Sequence, residues 1–134
     1  MVAYSFQARF EGPILTGRKT GTIRATGRRR HARPGEEMQL YTGMRTRSCR
    51  LLARVECLTV DPIRLCFASP AVIVGPGRIE EGRPVSDLDA FAQGDGFRDW
   101  DEFAAYWRAT DPSPRLGPWV GLWLRWRPDM VVQP

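Results

Sequence analysis

Hydrophobic and polar positions alternate along much of the chain, and this alternation predicts a protein built mainly of strands. Tyr4, Phe6, Ala8 and Phe10 are separated by polar side chains, which is the period of a strand with one buried face. The same period or a short apolar run recurs in residues 20–25, 38–42, 49–57, 63–67, 71–74 and 119–126. The chain therefore contains at least six predicted strands.

Two of the longer segments predict which side chains are buried. In residues 49–57 the inward positions are Cys49, Leu51, Ala53, Val55 and Cys57. In residues 119–126 they are Val120, Leu122, Leu124 and Trp126. Trp119 and Trp123 then lie on the opposite face, where we expect them to be available to stack on a nucleobase.

Three short helices are predicted between the strands. Residues 13–16 begin with a proline and are followed by a glycine, which are residues typical of a first helical turn and of a helix end. Ser86 with Asp89 and Asp99 with Glu102 have the spacing of capping boxes, so each pair predicts the start of a further helix.

These elements predict a single α+β domain, mainly β, that spans residues 1–134. The expected architecture is a small, mostly antiparallel barrel of about six strands with short helices at its mouth. Trp100, Phe103 and Trp107 form an apolar stripe on the last helix, and we expect them to lie in the core.

The chain start lacks the features of a secretory signal, and no apolar run approaches the length of a membrane span, so we expect a cytoplasmic protein. Cys49, Cys57 and Cys66 show no Cys-x-x-Cys spacing and are predicted to be buried apolar side chains. His31 is the only histidine, which leaves little to build a zinc site and excludes a two-histidine ribonuclease mechanism. Neither a metal nor a cofactor is predicted.

Charge is unevenly distributed along the chain. Residues 1–60 hold 12 basic and 4 acidic side chains, whereas residues 61–134 hold 8 and 11. A basic half with a pI near 9.7 favours a polyanionic partner such as RNA. The candidate nucleic-acid-binding residues are Arg28, Arg29, Arg30, Arg33, Arg45, Arg47 and Arg50. An alternative is that a GC-rich genome has replaced lysine codons by arginine codons, with no partner involved.

Only one of the 20 basic residues is a lysine, and it lies in the segment GRKTGTIR. Lys19 precedes a predicted strand in which Thr22 and Arg24 share one face. A lysine can act as a base in its neutral form, whereas an arginine is effectively always charged. The composition therefore singles out Lys19 as a candidate for chemistry that an arginine could not perform.

Three segments together resemble the ASCH domain family, which has a PUA-like barrel fold. They are ILTGRKTGTIR, RPGEEMQLYTG and DGFRDWDEF, followed by a terminal strand that ends in Trp126. The most specific part is the string G-x-K-x-x-T-I-R. The resemblance implies a pocket for nucleic acid or a modified nucleoside. Members of the family include bacterial amidohydrolases that deacetylate N(4)-acetylcytidine, ribonucleases and RNA-binding modules.

The similarity to the amidohydrolases implies roles for four residues. Lys19 matches their lysine, Thr22 their threonine nucleophile, and Arg24 the arginine after it. Asp95 matches an acidic partner that is a glutamate in those enzymes, so it is one methylene shorter here. Whether Lys19 is the base, or stays charged beside a basic Asp95, is left open by the sequence.

We therefore expect an ASCH-type hydrolase that cleaves the amide of an N-acylated cytosine, with Lys19, Thr22 and Asp95 as catalytic residues. The substrate-binding candidates are Arg24, Arg18 and Tyr41. The alternatives are a protein that binds or cleaves single-stranded RNA in the same basic cleft, and a binding module that recognises a modified base without turnover. The acyl group and the oligomeric state are not indicated by the sequence.

Overall fold

The computed structural model describes residues 1–110 and 118–128. Within these ranges the protein is an α+β fold in which strands dominate, as the alternation predicts. The strands are β1 (Val2–Phe6), β2 (Gly21–Arg24), β3 (Glu37–Thr42), β4 (Arg50–Cys66), β5 (Ala71–Val74), β6 (Arg83–Pro84) and β7 (Trp119–Trp126). The helices are α1 (Glu11–Leu15), α2 (Leu88–Gly94) and α3 (Trp100–Thr110), with 3-10 turns at Ala8–Phe10 and Ile79–Glu81.

The long strand β4 organises the sheet. Its first half pairs antiparallel with β3, and β3 pairs in parallel with β1. Its second half pairs antiparallel with β7, which in turn pairs with β2. β5 pairs with the end of β4, and β6 pairs with β5. Among the described residues this hydrogen-bonded order does not close on itself, so the sheet is an open one rather than the closed barrel that we expected.

β4 is a single strand of 17 residues, whereas the alternation predicts two strands in residues 49–67. β7 pairs with β4 from Cys57 to Leu65, with one register shift, and so spans the gap between the two predicted strands. Pro62, which interrupts the alternation, lies beside a glycine, and a Cβ on Gly75 would be only 2.9 Å from the proline Cδ. The partner strand and this close contact allow β4 to continue through the proline.

The predicted inner face of β4 is correct only in its middle. Three of the five predicted positions are buried: Ala53, Val55 and Cys57. Cys49 is exposed and Leu51 is only partly buried, while Leu52 is in the core. The pairing of β4 with β3 shifts register between Leu40 and Tyr41, and such a bulge reverses which side chains face inward.

The inner face of β7 is likewise correct only in its second half. Leu124 and Trp126 are buried, whereas Val120 is 47% exposed. Near the start of β7 the opposite face is covered instead, since Trp119 packs on Trp107 of α3 with their ring centres 4.8 Å apart.

β1 is shorter than the predicted strand over residues 4–10. It ends at Phe6, and the 3-10 turn Ala8–Phe10 follows. Phe10 is still buried, because the turn places its ring edge-on against Phe97 with 5.5 Å between centroids. The alternation therefore identified Tyr4, Phe6 and Phe10 as core residues, but it was wrong for Ala8, which is exposed, and for the end of the strand.

The helix ends agree with the predicted signals in two of three cases. Gly17 ends α1 with a φ of 80°, a conformation that favours glycine. The N–H of Glu102 donates to Asp99 Oδ1 at 2.9 Å, which confirms the predicted cap of α3. The cap of α2 is Asp87, one residue after the predicted Ser86.

The core lies between the sheet and the helices. Trp100 and Phe103 are buried as predicted, and so is Cys57. The prediction of three buried cysteines is wrong for Cys49, which is exposed, and Cys66 is only partly buried. No helix in the described ranges combines the length and apolarity needed to cross a membrane.

Candidate active site

The turn between α1 and β2 directs Lys19 into the fold. The main-chain N–H of Lys19 donates to the Pro13 carbonyl at 2.9 Å, and that of Thr20 donates to the Gly94 carbonyl at 3.1 Å. These bonds fix the turn to both α1 and α2. Lys19 is only 3% exposed. The one lysine of the chain is therefore a buried residue rather than a surface charge.

Asp95 follows α2 directly and contacts Lys19 in the interior. Lys19 Nζ donates to the main-chain oxygen of Asp95 at 2.8 Å and to its Oδ1 at 2.9 Å. Gly96 permits this approach, because it has a φ of 97° and a Cβ there would lie 3.2 Å from Lys19 Cδ. The glycine-flanked aspartate of the sequence is thus the partner of the lysine.

Burial brings the pKa values of these two groups closer together. Loss of hydration lowers the pKa of Lys19 and raises the pKa of Asp95, because each charged form is less stable away from water. The ion pair itself opposes both shifts, and the Arg24 guanidinium lowers the pKa of Lys19 further. Moving the shared proton from the amine to the carboxylate therefore costs less free energy here than it would between the same groups in water.

Thr22 and Arg24 lie on the same face of β2, as predicted from the strand period. Thr22 is 4% exposed, and Arg24 Nε donates to its Oγ1 at 2.9 Å. Arg24 Nη2 also donates to the Ser5 carbonyl of β1 at 2.8 Å, so the guanidinium spans from β2 to β1. The threonine hydroxyl is held by a cation and can donate its own proton elsewhere.

Lys19, Thr22, Arg24 and Asp95 line one pocket of about 300 Å³. This is the size of a small ligand site. Its other lining residues are Ser5, Phe6, Gln7, Phe10, Ile23, Phe97, Tyr106, Trp107 and Thr110. The structure thus brings together the three predicted catalytic residues and one of the three predicted substrate-binding residues.

The aromatic and helical wall of the pocket was not predicted. Phe10 and Phe97 contact each other, and both contact Tyr106 of α3. Tyr106 and Thr110 are four residues apart on one helix face, which is the signal that could have identified them. Trp107, predicted as core, is half-buried and lines the pocket.

Arg18 and Tyr41 do not line this pocket. Arg18 is exposed and lines a separate depression together with Arg9 and Arg98. The Tyr41 hydroxyl donates to Gln39 on its own strand. The predicted substrate contacts of both residues therefore have no support in the geometry.

All seven arginines that we expected to bind nucleic acid are exposed. Arg30 forms two hydrogen bonds with the Glu36 carboxylate, at 2.8 and 2.6 Å, and Arg50 pairs with Glu11. The other five form no ion pair with any residue in the described ranges: Arg28, Arg29, Arg33, Arg45 and Arg47. Much of the positive charge on these loops is thus available to an anion.

The two tryptophans expected to stack on a base are outside the pocket. Trp119 packs on Trp107, and Trp123 packs on Phe91 with 5.2 Å between centroids. The Arg125 guanidinium covers Trp123 at 4.0 Å from its ring centre. Both indoles are already in contact with protein side chains.

Comparison with protein-family models, with curated proteins and with solved structures finds no match to this chain. Within the described residues, no group of three or more histidine, cysteine, aspartate or glutamate side chains is arranged to hold a metal ion.

Proposed function

We propose that this protein is an amide hydrolase that removes an acyl group from the exocyclic nitrogen of a cytosine base. One observation carries the proposal: a buried lysine–aspartate pair and a threonine hydroxyl line the same small pocket. The pocket has room for about ten water molecules, and an acetylated cytosine has roughly eleven non-hydrogen atoms. The resemblance to the ASCH family supplies the substrate class, and membership of that family, with its PUA-like fold, is part of the proposal.

Thr22 is the nucleophile in this mechanism. Because Arg24 donates to Oγ1, the hydroxyl proton is directed away from the guanidinium and can pass to a base. The same guanidinium stabilises the oxygen as negative charge develops on it. A threonine hydroxyl still needs a base to become reactive.

Lys19 is that base, in its neutral form. The amine becomes neutral by passing a proton across 2.9 Å to Asp95 Oδ1, which burial favours from both sides of the pair. The aspartate is one methylene shorter than the glutamate of the family, yet it contacts the amine directly. The shorter aspartate side chain is therefore still close enough to Lys19 to accept the proton that the mechanism requires it to accept.

The bonds change in two stages. Thr22 Oγ1 forms a bond to the acyl carbon, Lys19 takes the hydroxyl proton, and the bond from the acyl carbon to the exocyclic nitrogen breaks. The proton passes from Lys19 to the departing nitrogen and gives the free cytosine amine. Water then attacks the acyl carbon of the Thr22 ester and loses a proton to Lys19. The bond from the acyl carbon to Thr22 Oγ1 breaks, Lys19 returns the proton to Oγ1, and the carboxylic acid is released.

The pocket has an aromatic wall. Phe10, Phe97 and Tyr106 form one continuous cluster beside the Lys19–Asp95 pair. Phe10 and Phe97 are buried, and the Arg9 guanidinium lies within 5.4 Å of all three ring centres, so the cluster mainly keeps water away from the amine. Tyr106 is only partly buried and is the ring of the three that is available to contact a base, while the Thr22 and Lys19 side chains support amide cleavage.

The test is hydrolysis of N(4)-acetylcytidine to cytidine and acetate, followed by chromatography. We expect Thr22→Ala and Lys19→Met each to reduce kcat by about a thousandfold or more, since each removes a group that acts in the transition state. Thr22→Ser, which keeps a hydroxyl, should retain activity within roughly tenfold of the wild type. Thr20→Ala is the matched control, because Thr20 lines a different depression and should leave turnover unchanged. Full activity of Thr22→Ala would contradict the mechanism.

Single-stranded RNA binding or cleavage in the same basic cleft is the second candidate. The exposed arginines without ion pairs favour it, since they can neutralise backbone phosphates. RNA affinity or cleavage without any turnover of an acylated cytosine would favour this candidate over the first.

A further inference from the structure

Two guanidinium groups lie against the buried Tyr4 ring, and one of them, that of Arg24, belongs to a residue that lines the pocket. Arg24 Cζ is 5.2 Å from the centre of the Tyr4 ring, and Arg29 Cζ is 4.6 Å from it. The two Cζ atoms are therefore no more than about 10 Å apart. The ring is fixed, because its hydroxyl bonds His31 Nδ1 and the main-chain N–H of Ala32, each at 3.0 Å.

Neither guanidinium forms a direct ion pair with a carboxylate of the described residues, although the Asp95 carboxylate is near Arg24. Burial lowers the pKa of Arg24, and this carboxylate is near enough to oppose the shift. The partners of Arg24 are the neutral Thr22 hydroxyl and Ser5 carbonyl, and its Nη1 donates to no described acceptor. Arg29 forms no ion pair with the part of the chain that the structure describes. The adjacent Arg30, by contrast, is matched by a carboxylate.

Two like charges on one buried ring repel each other, and an anion between them would remove that repulsion. A phosphate suits the site because its oxygens can accept from two guanidinium groups at once. Two groups bound to one phosphate have Cζ atoms roughly 8 Å apart, which is within the limit set by the Tyr4 contacts.

We propose that the substrate carries a phosphate next to the base in the pocket, and that Arg24 and Arg29 bind this phosphate. The inference rests on the proposed function, which places an acylated base beside Thr22. Arg24 donates to Thr22 through Nε, and its guanidinium contacts the same buried Tyr4 ring as Arg29, so the Tyr4 ring connects the nucleophile side of the pocket with the exposed Arg29. A ribose that leaves the pocket along Arg24 brings its phosphate to Arg29, which is exposed to solvent.

The experiment compares three substrates: N(4)-acetylcytidine, its 5′-monophosphate, and a short oligoribonucleotide that contains the same acetylated base. We expect kcat/KM for at least one phosphorylated substrate to exceed that for the nucleoside by about tenfold. In Arg29→Gln this ratio should fall by roughly threefold to tenfold, and the salt dependence should weaken with it. The matched control is Arg83→Gln on β6, which removes the same charge elsewhere and should leave the ratio unchanged.

A second measurement separates this inference from the proposed function. Calorimetric binding of cytidine and cytidine 5′-monophosphate needs no turnover, and we expect the monophosphate to bind more tightly in the wild type but not in Arg29→Gln. Preference for the monophosphate identifies a free nucleotide as the source of the phosphate, and preference for the oligomer alone identifies an RNA strand. Equal kcat/KM for all three substrates, or equal binding of cytidine, its monophosphate and an unacetylated oligomer of the same sequence, would overturn the phosphate contact. Phosphate-dependent binding without hydrolysis would support the contact and reject the hydrolase.

Discussion

Replacing Lys19 by methionine tests the buried ion pair directly. The Nζ to Oδ1 distance is 2.9 Å, and the Lys19 and Asp95 side chains are 4% and 9% exposed. Methionine keeps most of the aliphatic chain that packs beside Phe10, so the change removes mainly the charge. It leaves the Asp95 carboxylate, and also its main-chain oxygen, without the ammonium donor.

The expected loss of stability is large. Removing one partner of a buried pair costs about 3–5 kcal/mol, because an uncompensated charge stays in the interior. For a domain of this size that loss corresponds to a fall of about 10–20 °C in Tm. Urea unfolding followed by circular dichroism at pH 7 measures the free energy, and thermal unfolding measures Tm. Arg98→Met is the control, since its ion pairs are on a side chain that is 76% exposed and should contribute below about 1 kcal/mol.

The loss should also depend on pH in a defined direction. Burial already raises the pKa of Asp95 against the opposing charges of Lys19 and Arg24, so without the lysine its folded pKa lies still further above the unfolded value of about 3.9. A group with a raised folded pKa contributes stability below the unfolded pKa and loses it as the pH rises through the folded pKa. The deficit of Lys19→Met relative to the wild type should therefore be greatest at neutral pH and become smaller in acid.

The double variant Lys19→Met/Asp95→Leu completes the cycle. Replacing both charges by apolar side chains is expected to recover at least about 2 kcal/mol relative to the single variants, because no buried charge remains. A loss below about 1 kcal/mol for Lys19→Met at pH 7, or single effects that simply add in the double variant, would refute the reasoning.

Two further predictions concern the surroundings of the pair and the cysteines. Gly96→Ala should lower the free energy of unfolding by about 1–2 kcal/mol and reduce turnover, because φ is 97° and the new Cβ would lie 3.2 Å from Lys19 Cδ. Gly94→Ala is the control, since a Cβ there has open space and should change neither stability nor turnover. Cys49 is exposed and should be alkylated by iodoacetamide at pH 8 in the folded protein, as read by mass spectrometry. Burial raises the pKa of Cys57 to about 11, so it should react only after denaturation; equal rates for the two thiols would contradict its position in the core.

The site was predictable from the sequence where local geometry decided it. The strand period placed Thr22 and Arg24 on one face, and the glycines around Asp95 indicated a tight turn. The presence of one lysine among arginines singled out Lys19. These signals depend on residues near one another in the chain, and the structure brings them into one pocket.

Other features depend on partners that the local pattern does not show. The continuity of β4 through Pro62 comes from β7, which lies far along the chain and pairs across the predicted break. The burial of Leu52 follows from a bulge in β4, where the pairing with β3 skips this residue. Tyr106 belongs to the pocket because α3 lines it together with residues of β1 and β2; the four-residue spacing to Thr110 marks one face of α3 but not what that face contacts.

The cost of the buried pair and its proposed use have the same physical origin. A buried ammonium and carboxylate are expensive to desolvate, and an apolar pair of similar volume would stabilise the fold as well or better. That same desolvation lowers the pKa of Lys19 and raises the pKa of Asp95, which makes a neutral amine accessible beside the Thr22 hydroxyl. An arginine at position 19 would incur the desolvation cost without ever yielding a base. All the other lysine or arginine positions of the chain are arginine. The proposed function therefore explains the lysine at position 19 by the proton that it can give up.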